Sequence, residues 1–265
     1  MPIIDMHTHA RRGRGELSAF IEEMDRLGIA MAGLAAIEPT SAEMGDSSNE
    51  FIHECIQKYP DRLFGWCSVV PTDPAAPARL ERYVREMGFK GLKLHPPIQQ
   101  FMPSDPMAFP TFRKAIELDV PVLMHTGAVN IQKAPIRYGD PVEIDELCLA
   151  FPDLKIVLAH GEPLGLQPYI AQKHPNAYMD TSIRFPMVVD LIPGLGERVI
   201  MRTTTGVAQL RDKVMLGSDA APTFLNRFKE SLDAVRNLNL PTEVKDNVLG
   251  GNAIRLLRLQ SPALR

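Results

Sequence analysis

The chain has 265 residues, a formal net charge of −3 and 45% hydrophobic residues. That balance lays down no basic footprint for nucleic acid, and no apolar run reaches the roughly 18 residues of a membrane span. No basic stretch followed by an apolar core suggests a secretory signal. Cys55, Cys67 and Cys148 show no Cys-x-x-Cys spacing, so neither a disulfide framework nor a zinc ribbon is expected. They read as buried small apolar residues, and a reducing cytoplasm is the expected location.

Short runs rich in Val, Ile and Leu alternate with segments of helical spacing. Strands are expected over 3–9, 29–37, 63–70, 91–95, 121–126, 155–160, 177–181 and 213–218. Most are continuous apolar runs, as parallel strands covered on both faces require. The first helix, over 16–27, carries Leu17, Phe20, Ile21, Met24 and Leu27 on one face, and Gly28 can end it. Further helices are expected over 48–59, 76–87, 109–118, 142–150, 164–173, 227–237 and 243–259. The stretch 184–210 holds Pro186, Pro193 and several glycines and reads as an irregular connection with helix pieces.

Eight strand–helix alternations predict a (β/α)8 TIM barrel, and with no repeat or linker the chain 1–265 reads as one domain. An open doubly wound sheet would carry a glycine-rich phosphate loop after strand 1. Here the first strand ends in His7-Thr8-His9. Alternation puts both imidazoles on one face, half of a tetrahedral metal site.

In a barrel the active face lies at the C-terminal strand ends, so those ends are the test. Strand 4 carries Lys93 and His95, strand 5 ends in His125, strand 6 in His160 and strand 8 in Asp219. Five of the 7 histidines fall there; His53 and His174 lie on helical segments and read as surface residues. Imidazoles and a carboxylate converging on one mouth suit zinc or a similar divalent ion.

Asp5-Met6-His7-Thr8-His9, Gly91-Leu92-Lys93-Leu94-His95-Pro96, His125-Thr126-Gly127, His160-Gly161, Gly217-Ser218-Asp219 and Gly251-Asn252-Ala253-Ile254-Arg255-Leu256-Leu257 occur in this order. Together they resemble the amidohydrolase superfamily, in the branch that includes aminocarboxymuconate-semialdehyde decarboxylase and many small metal-dependent hydrolases. The resemblance implies that His7, His9, His125 and Asp219 hold one divalent metal, zinc first and manganese second. It implies that Asp219 also takes a proton, and that His160 orients or deprotonates the bound water. A bound cation lowers the pKa of water toward about 7 and polarises a carbonyl. Elsewhere in the superfamily a carbamylated strand-4 lysine bridges two metals; for Lys93 that is the lesser reading. Lys93 is expected to meet a substrate carboxylate or simply to snorkel to the mouth, and His95 to line the pocket unless Pro96-Pro97 turns it away.

Arg11, Arg12 and Arg14 follow strand 1, Lys133 and Arg137 follow strand 5, and Arg184 follows strand 7. Cations around a metal mouth suit an anionic small-molecule substrate, with Arg184 the first choice to bind its carboxylate. The leading expectation is therefore a metal-dependent hydrolase that opens an ester, lactone or amide of a small carboxylate-bearing substrate. The alternative is a non-oxidative decarboxylase of an unsaturated or aromatic acid on the same mononuclear site. Aromatic decarboxylases of this branch often have Glu where this chain has His7, and a nuclease would need an acidic ligand where it has Lys93. A homodimer contact is one expectation for Phe185, Met187, Val188 and Val189; a lid or a helix packed on the barrel are the others.

Overall fold

The structure is a computed structural model that describes residues 1–39, 45–201 and 210–259. Eight strands make one parallel sheet in sequence order: β1 (Ile3–Thr8), β2 (Ile29–Ala35), β3 (Leu63–Ser68), β4 (Gly91–Leu94), β5 (Val122–His125), β6 (Ile156–Ala159), β7 (Ala177–Asp180) and β8 (Val214–Met215). The ring closes where Met6 N donates to Leu216 O at 2.9 Å and His9 N to Ala220 O at 2.8 Å. This is the expected (β/α)8 barrel, with every expected strand present and most shorter by one or two residues at an end.

The helices follow the apolar spacing. Leu17–Leu27 buries Phe20, Ile21 and Met24 and ends at Gly28, whose φ of 75° is the left-handed conformation glycine adopts without strain. Asn49–Lys58 starts where the Ser48 hydroxyl accepts from Phe51 N. The expected irregular connection resolves into helices Arg184–Leu191 and Leu195–Met201, with 202–209 outside the described residues. Phe185, Val188 and Val189 are buried, and only Met187 of the expected contact residues stays exposed. That helix packs on the barrel.

Alternation sorts the strand side chains into two layers. Leu34, Cys67, Leu92, Met124 and Leu158 face the helices. Ile4, Met6, Phe64, Trp66, Leu123, Val157 and Met215 fill the lumen, with Leu256 and Leu257 of helix Asn252–Leu257 packed into the same cluster. Gly91 belongs to that lumen: a Cβ there would lie 2.3 Å from the Trp66 ring.

His7 breaks the alternation. Ile4 and Met6 face inward, so strict alternation would send His7 to the helix layer. Against β2, Asp5 pairs with Ala32 and Thr8 with Leu34, so β1 holds one residue more than its partner over this step. That bulge resets the phase and turns His7 and His9 inward, as bulges do when they re-aim a side chain.

The cysteines are free and buried, as expected. His174, expected at the surface, is instead buried, with Nε2 2.6 Å from Asp145 Oδ1. The cap position after helix Gln167–Lys173 carries it under its neighbours. Among the described residues no helix is long and apolar enough to cross a membrane.

Two outcomes follow from the packing. Gly91→Ala should cost about 1–3 kcal/mol in denaturant unfolding, because Trp66 has no space to retreat; unchanged stability would show that it has. Burial pushes the thiol of Cys55 up to about 11 and that of Cys148 up to about 12, and raises Cys67 as well. At pH near 8 all 3 are therefore protonated and should react with a disulfide reagent only after unfolding. Rapid reaction of the native protein would contradict this.

Candidate metal centre

The C-terminal end of the barrel gathers the side chains singled out in the sequence. His7 is fully buried, and its Nδ1 lies 2.7 Å from Asp180 Oδ2. Burial, with the Lys93 charge second, pushes the His7 imidazole down to about 3, against the pull of Asp180. It is therefore neutral near pH 7, donating from Nδ1 to Asp180 and keeping the Nε2 lone pair for another partner. Lys93 Nζ is 3.1 Å from that Nε2. Lys93 is itself buried, which pushes its ammonium down to about 8 against the opposing fields of Asp180 and Asp219.

His9 is fixed from the other side, with Nδ1 3.0 Å from Ala35 O. Its Nε2 lies 3.2 Å from Asp219 Oδ1, and the Nε2 of His7 lies 3.5 Å from the same oxygen. Asp219 divides its oxygens. Oδ1 faces the two imidazoles, while Oδ2 and the Asp219 carbonyl both accept from Arg227 Nη1. Burial alone would raise the Asp219 carboxyl, but its hydrogen bond and charge contact with His9, then His7 and His160, hold it well below the carboxylate range.

His160 comes in from β6. Its Nδ1 is 2.8 Å from Ser182 Oγ, and its Nε2 is 3.0 Å from His125 Nδ1. Burial lowers the pKa of both imidazoles. His125 Nε2 is buried without a hydrogen-bond partner among the described residues. The His95 ring stacks on His125 with centroids 4.0 Å apart and planes at 13°. Pro96 and Pro97 occupy the first positions of a short helix, Pro96–Gln99, that His95 caps. They do not turn it away, and it joins the cluster.

One ligand atom each from His7, His160 and Asp219 lie within 4.8 Å of one another. Around them stand His9, at Asp219, and His125, which meets the cluster through His160. The donor set fits a divalent cation: buried neutral imidazoles, an ionised carboxylate, and an unpartnered buried nitrogen on His125. Arg184 is placed differently. It is half-exposed at the rim, and its Nε donates to Glu162 Oε2 at 2.6 Å, so its charge is already engaged.

Sequence reasoning missed Asp180 and Ser182. Asp180 is wholly buried, and its Oδ1 accepts from His160 N at 2.9 Å, Ser182 N at 2.9 Å and Ser182 Oγ at 2.6 Å. Burial opposes its charge, but His7, His160 and Ser182 hold it ionised. The available signal was its place as the last residue of a strand in a barrel whose other strand ends carry the site. Gly217 leaves room for it: a Cβ there would press within 3.1 Å of both Asp180 and His7.

Asp180→Asn keeps the shape but removes the charge that fixes the His7 tautomer. Affinity for zinc or manganese should fall about 10–100-fold, read by chelator competition. Unchanged affinity would remove the Asp180–His7 pair from the metal site.

A family model described as Amidohydrolase matches residues 4–259. The chain is 25% identical over 282 residues to a gamma-resorcylate decarboxylase of Polaromonas sp., covering 89% of this chain and 85% of that one. It is 28% identical over 166 residues to a 2-keto-4-carboxy-3-hexenedioate hydratase of Sphingobium sp., covering 53% of this chain but only 46% of the hydratase. Among solved structures, an uncharacterised TIM-barrel protein of Bordetella bronchiseptica superposes with a TM-score of 0.76 at 20% identity, covering 97% and 99% of the two chains. A dihydroxybenzoic acid decarboxylase of Polaromonas sp., with bound manganese and the inhibitor 2-nitroresorcinol, gives 0.73 at 17% identity, covering 100% and 99%. Those structural likenesses speak for the fold; the family match, which runs nearly from end to end, makes this chain an enzyme of the amidohydrolase family.

Proposed function

We propose that this enzyme is a metal-dependent, non-oxidative decarboxylase of a small hydroxylated aromatic or unsaturated carboxylic acid. The observation that carries this reading is the near full-length similarity to a gamma-resorcylate decarboxylase. The sequence motifs put hydrolysis first; the relative with near full-length coverage favours the alternative. His7, His9, His125 and Asp219 would hold the cation, with His160 beside them. Manganese, bound in the dihydroxybenzoic acid decarboxylase structure, is the first ion to test, ahead of zinc. When bound, the cation supplies charge that holds the substrate's carboxylate end against the cluster.

The chain's own residues then account for the proton. Replacing CO2 by hydrogen needs one proton at the carbon that loses the carboxylate. The bond to the carboxylate then breaks, its electron pair returns to the conjugated system, and CO2 leaves. Asp219 is our choice for the proton carrier. A substrate carboxylate beside it opposes its ionised form and so favours uptake of the proton it delivers. Arg227 holds Oδ2 and leaves Oδ1 to the site. His160, neutral and hydrogen-bonded to Ser182 and His125, orients the substrate's polar groups. Closely packed side chains below the cluster keep bulk water from one side of it.

A second reading, addition of water to a carbon–carbon double bond or hydrolysis, draws support from His7 and from the partial similarity to the hydratase. One experiment separates the two. The manganese-loaded enzyme is given a panel of hydroxybenzoates and unsaturated dicarboxylic acids, and CO2 release and product mass are followed. Decarboxylation predicts loss of CO2, with Asp219→Asn lowering kcat at least about 100-fold. A gain in mass equal to one water, without CO2, would replace this reading with the second.

A further inference from the structure

Ser182 lies just beyond β7, wholly buried, between a carboxylate and an imidazole. Its hydroxyl has one hydrogen and two close neighbours, Asp180 Oδ1 at 2.6 Å and His160 Nδ1 at 2.8 Å. An ionised carboxylate can only accept, so the hydrogen goes to Asp180. The Ser182 oxygen is then the acceptor for the ring, and His160 carries its hydrogen on Nδ1.

That choice propagates. His160 and His125 are both buried, where the charged form of an imidazole is disfavoured. A neutral His160 with its hydrogen on Nδ1 has a bare Nε2. That nitrogen lies 3.0 Å from His125 Nδ1, and two nitrogens at this distance share one hydrogen. His125 supplies it, so its Nδ1 donates and its Nε2 is left bare. His125 Nε2 is the buried nitrogen that has no partner among the described residues. The His95 ring, stacked on His125 with planes at 13°, holds the plane of that ring.

We propose that Ser182 is a positioning residue whose hydroxyl, aimed by Asp180, sets the tautomers of His160 and His125 and so leaves His125 Nε2 free to take a cation. Asp180 then governs both sides of the centre: His7 directly through Oδ2, and His125 through Oδ1, Ser182 and His160. The use of the bare nitrogen rests on the ligand set proposed above, and it is the same whichever reaction follows. Without the hydroxyl, nothing holds the hydrogen of His160 on Nδ1. In the other tautomer His160 donates to His125 Nδ1, and the His125 hydrogen moves to Nε2, where it blocks a ligand.

Long-range proton–nitrogen NMR of the full chain with isotope-labelled histidines, metal-free and zinc-loaded, reads which ring nitrogen carries hydrogen. His125→Gln and His160→Gln assign the signals. Hydrogen on Nδ1 of both rings is expected; hydrogen on Nε2 of either ring in the metal-free wild type overturns the proposal. In Ser182→Ala both rings should shift toward the form with hydrogen on Nε2, and zinc affinity should fall about 10–100-fold in chelator competition. Ser182→Thr, which returns the hydroxyl, should restore both. Unchanged tautomers in Ser182→Ala would likewise overturn the proposal. If the tautomers shift and zinc affinity does not, His125 leaves the proposed ligand set and the use assigned to its Nε2 falls, while the control by Ser182 stands. The wild-type measurement needs no variant to fold beyond those that assign it, so a misfolded Ser182→Ala does not remove the test.

Discussion

A single buried carboxylate organises the active end of this barrel. Asp180 is out of contact with water, yet each oxygen is satisfied: Oδ2 by the His7 imidazole, Oδ1 by two backbone amides and the Ser182 hydroxyl. Removing a carboxylate from water costs several kcal/mol unless its lone pairs are met this completely. Because they are, the charge is fixed in place, and it fixes the tautomer of His7 and the approach of β6 at His160. Through these two, strands 1, 6 and 7 are tied at the level where the chemistry is proposed to occur. The site is thus held by its surroundings before any ligand arrives, which is the condition for electrostatic work in a dry cavity.

The same end of the barrel concentrates backbone strain. His160, Ile183 and Asp219 all have positive φ, at 61°, 52° and 57°. Non-glycine residues adopt this conformation at a cost of order 1–3 kcal/mol, and they persist where the surroundings over-determine them. Each lies just beyond a strand end. At Asp219 the over-determination is visible: the Asp219 amide donates to His7 O at 2.8 Å, and its carbonyl and one carboxylate oxygen are held by Arg227. Stability from the apolar lumen below supports a layer above it that would not hold itself in shape.

Much of this was legible from the chain. Strand positions followed from apolar runs, and the histidines were found because the barrel's active face is known from topology alone. His95 was ambiguous because two prolines follow it, and only the packing shows them starting a helix. Asp180 was not legible, because its partner is 173 positions away and an acidic residue at a strand end resembles an ordinary turn residue. His174 was misread because apolar spacing says which helix face is inward but not what covers the cap. Hydrolysis and decarboxylation share one ligand set, so the motifs put hydrolysis first without the means to decide between the two. Arg184 reads from the chain as a free loop cation; only the fold brings Glu162 against it.

The bulge in β1 lets one strand serve two layers. It gives two consecutive inward positions, Met6 for the apolar lumen and His7 for the site above it. Loss of one residue between Asp5 and Thr8 would restore plain alternation, leaving Thr8 opposite Leu34 and His9 inward, but with a single inward position where the barrel now has two. Either the plug or the ligand would then be missing, so the length of this six-residue strand is as much a part of the centre as the identity of its histidines.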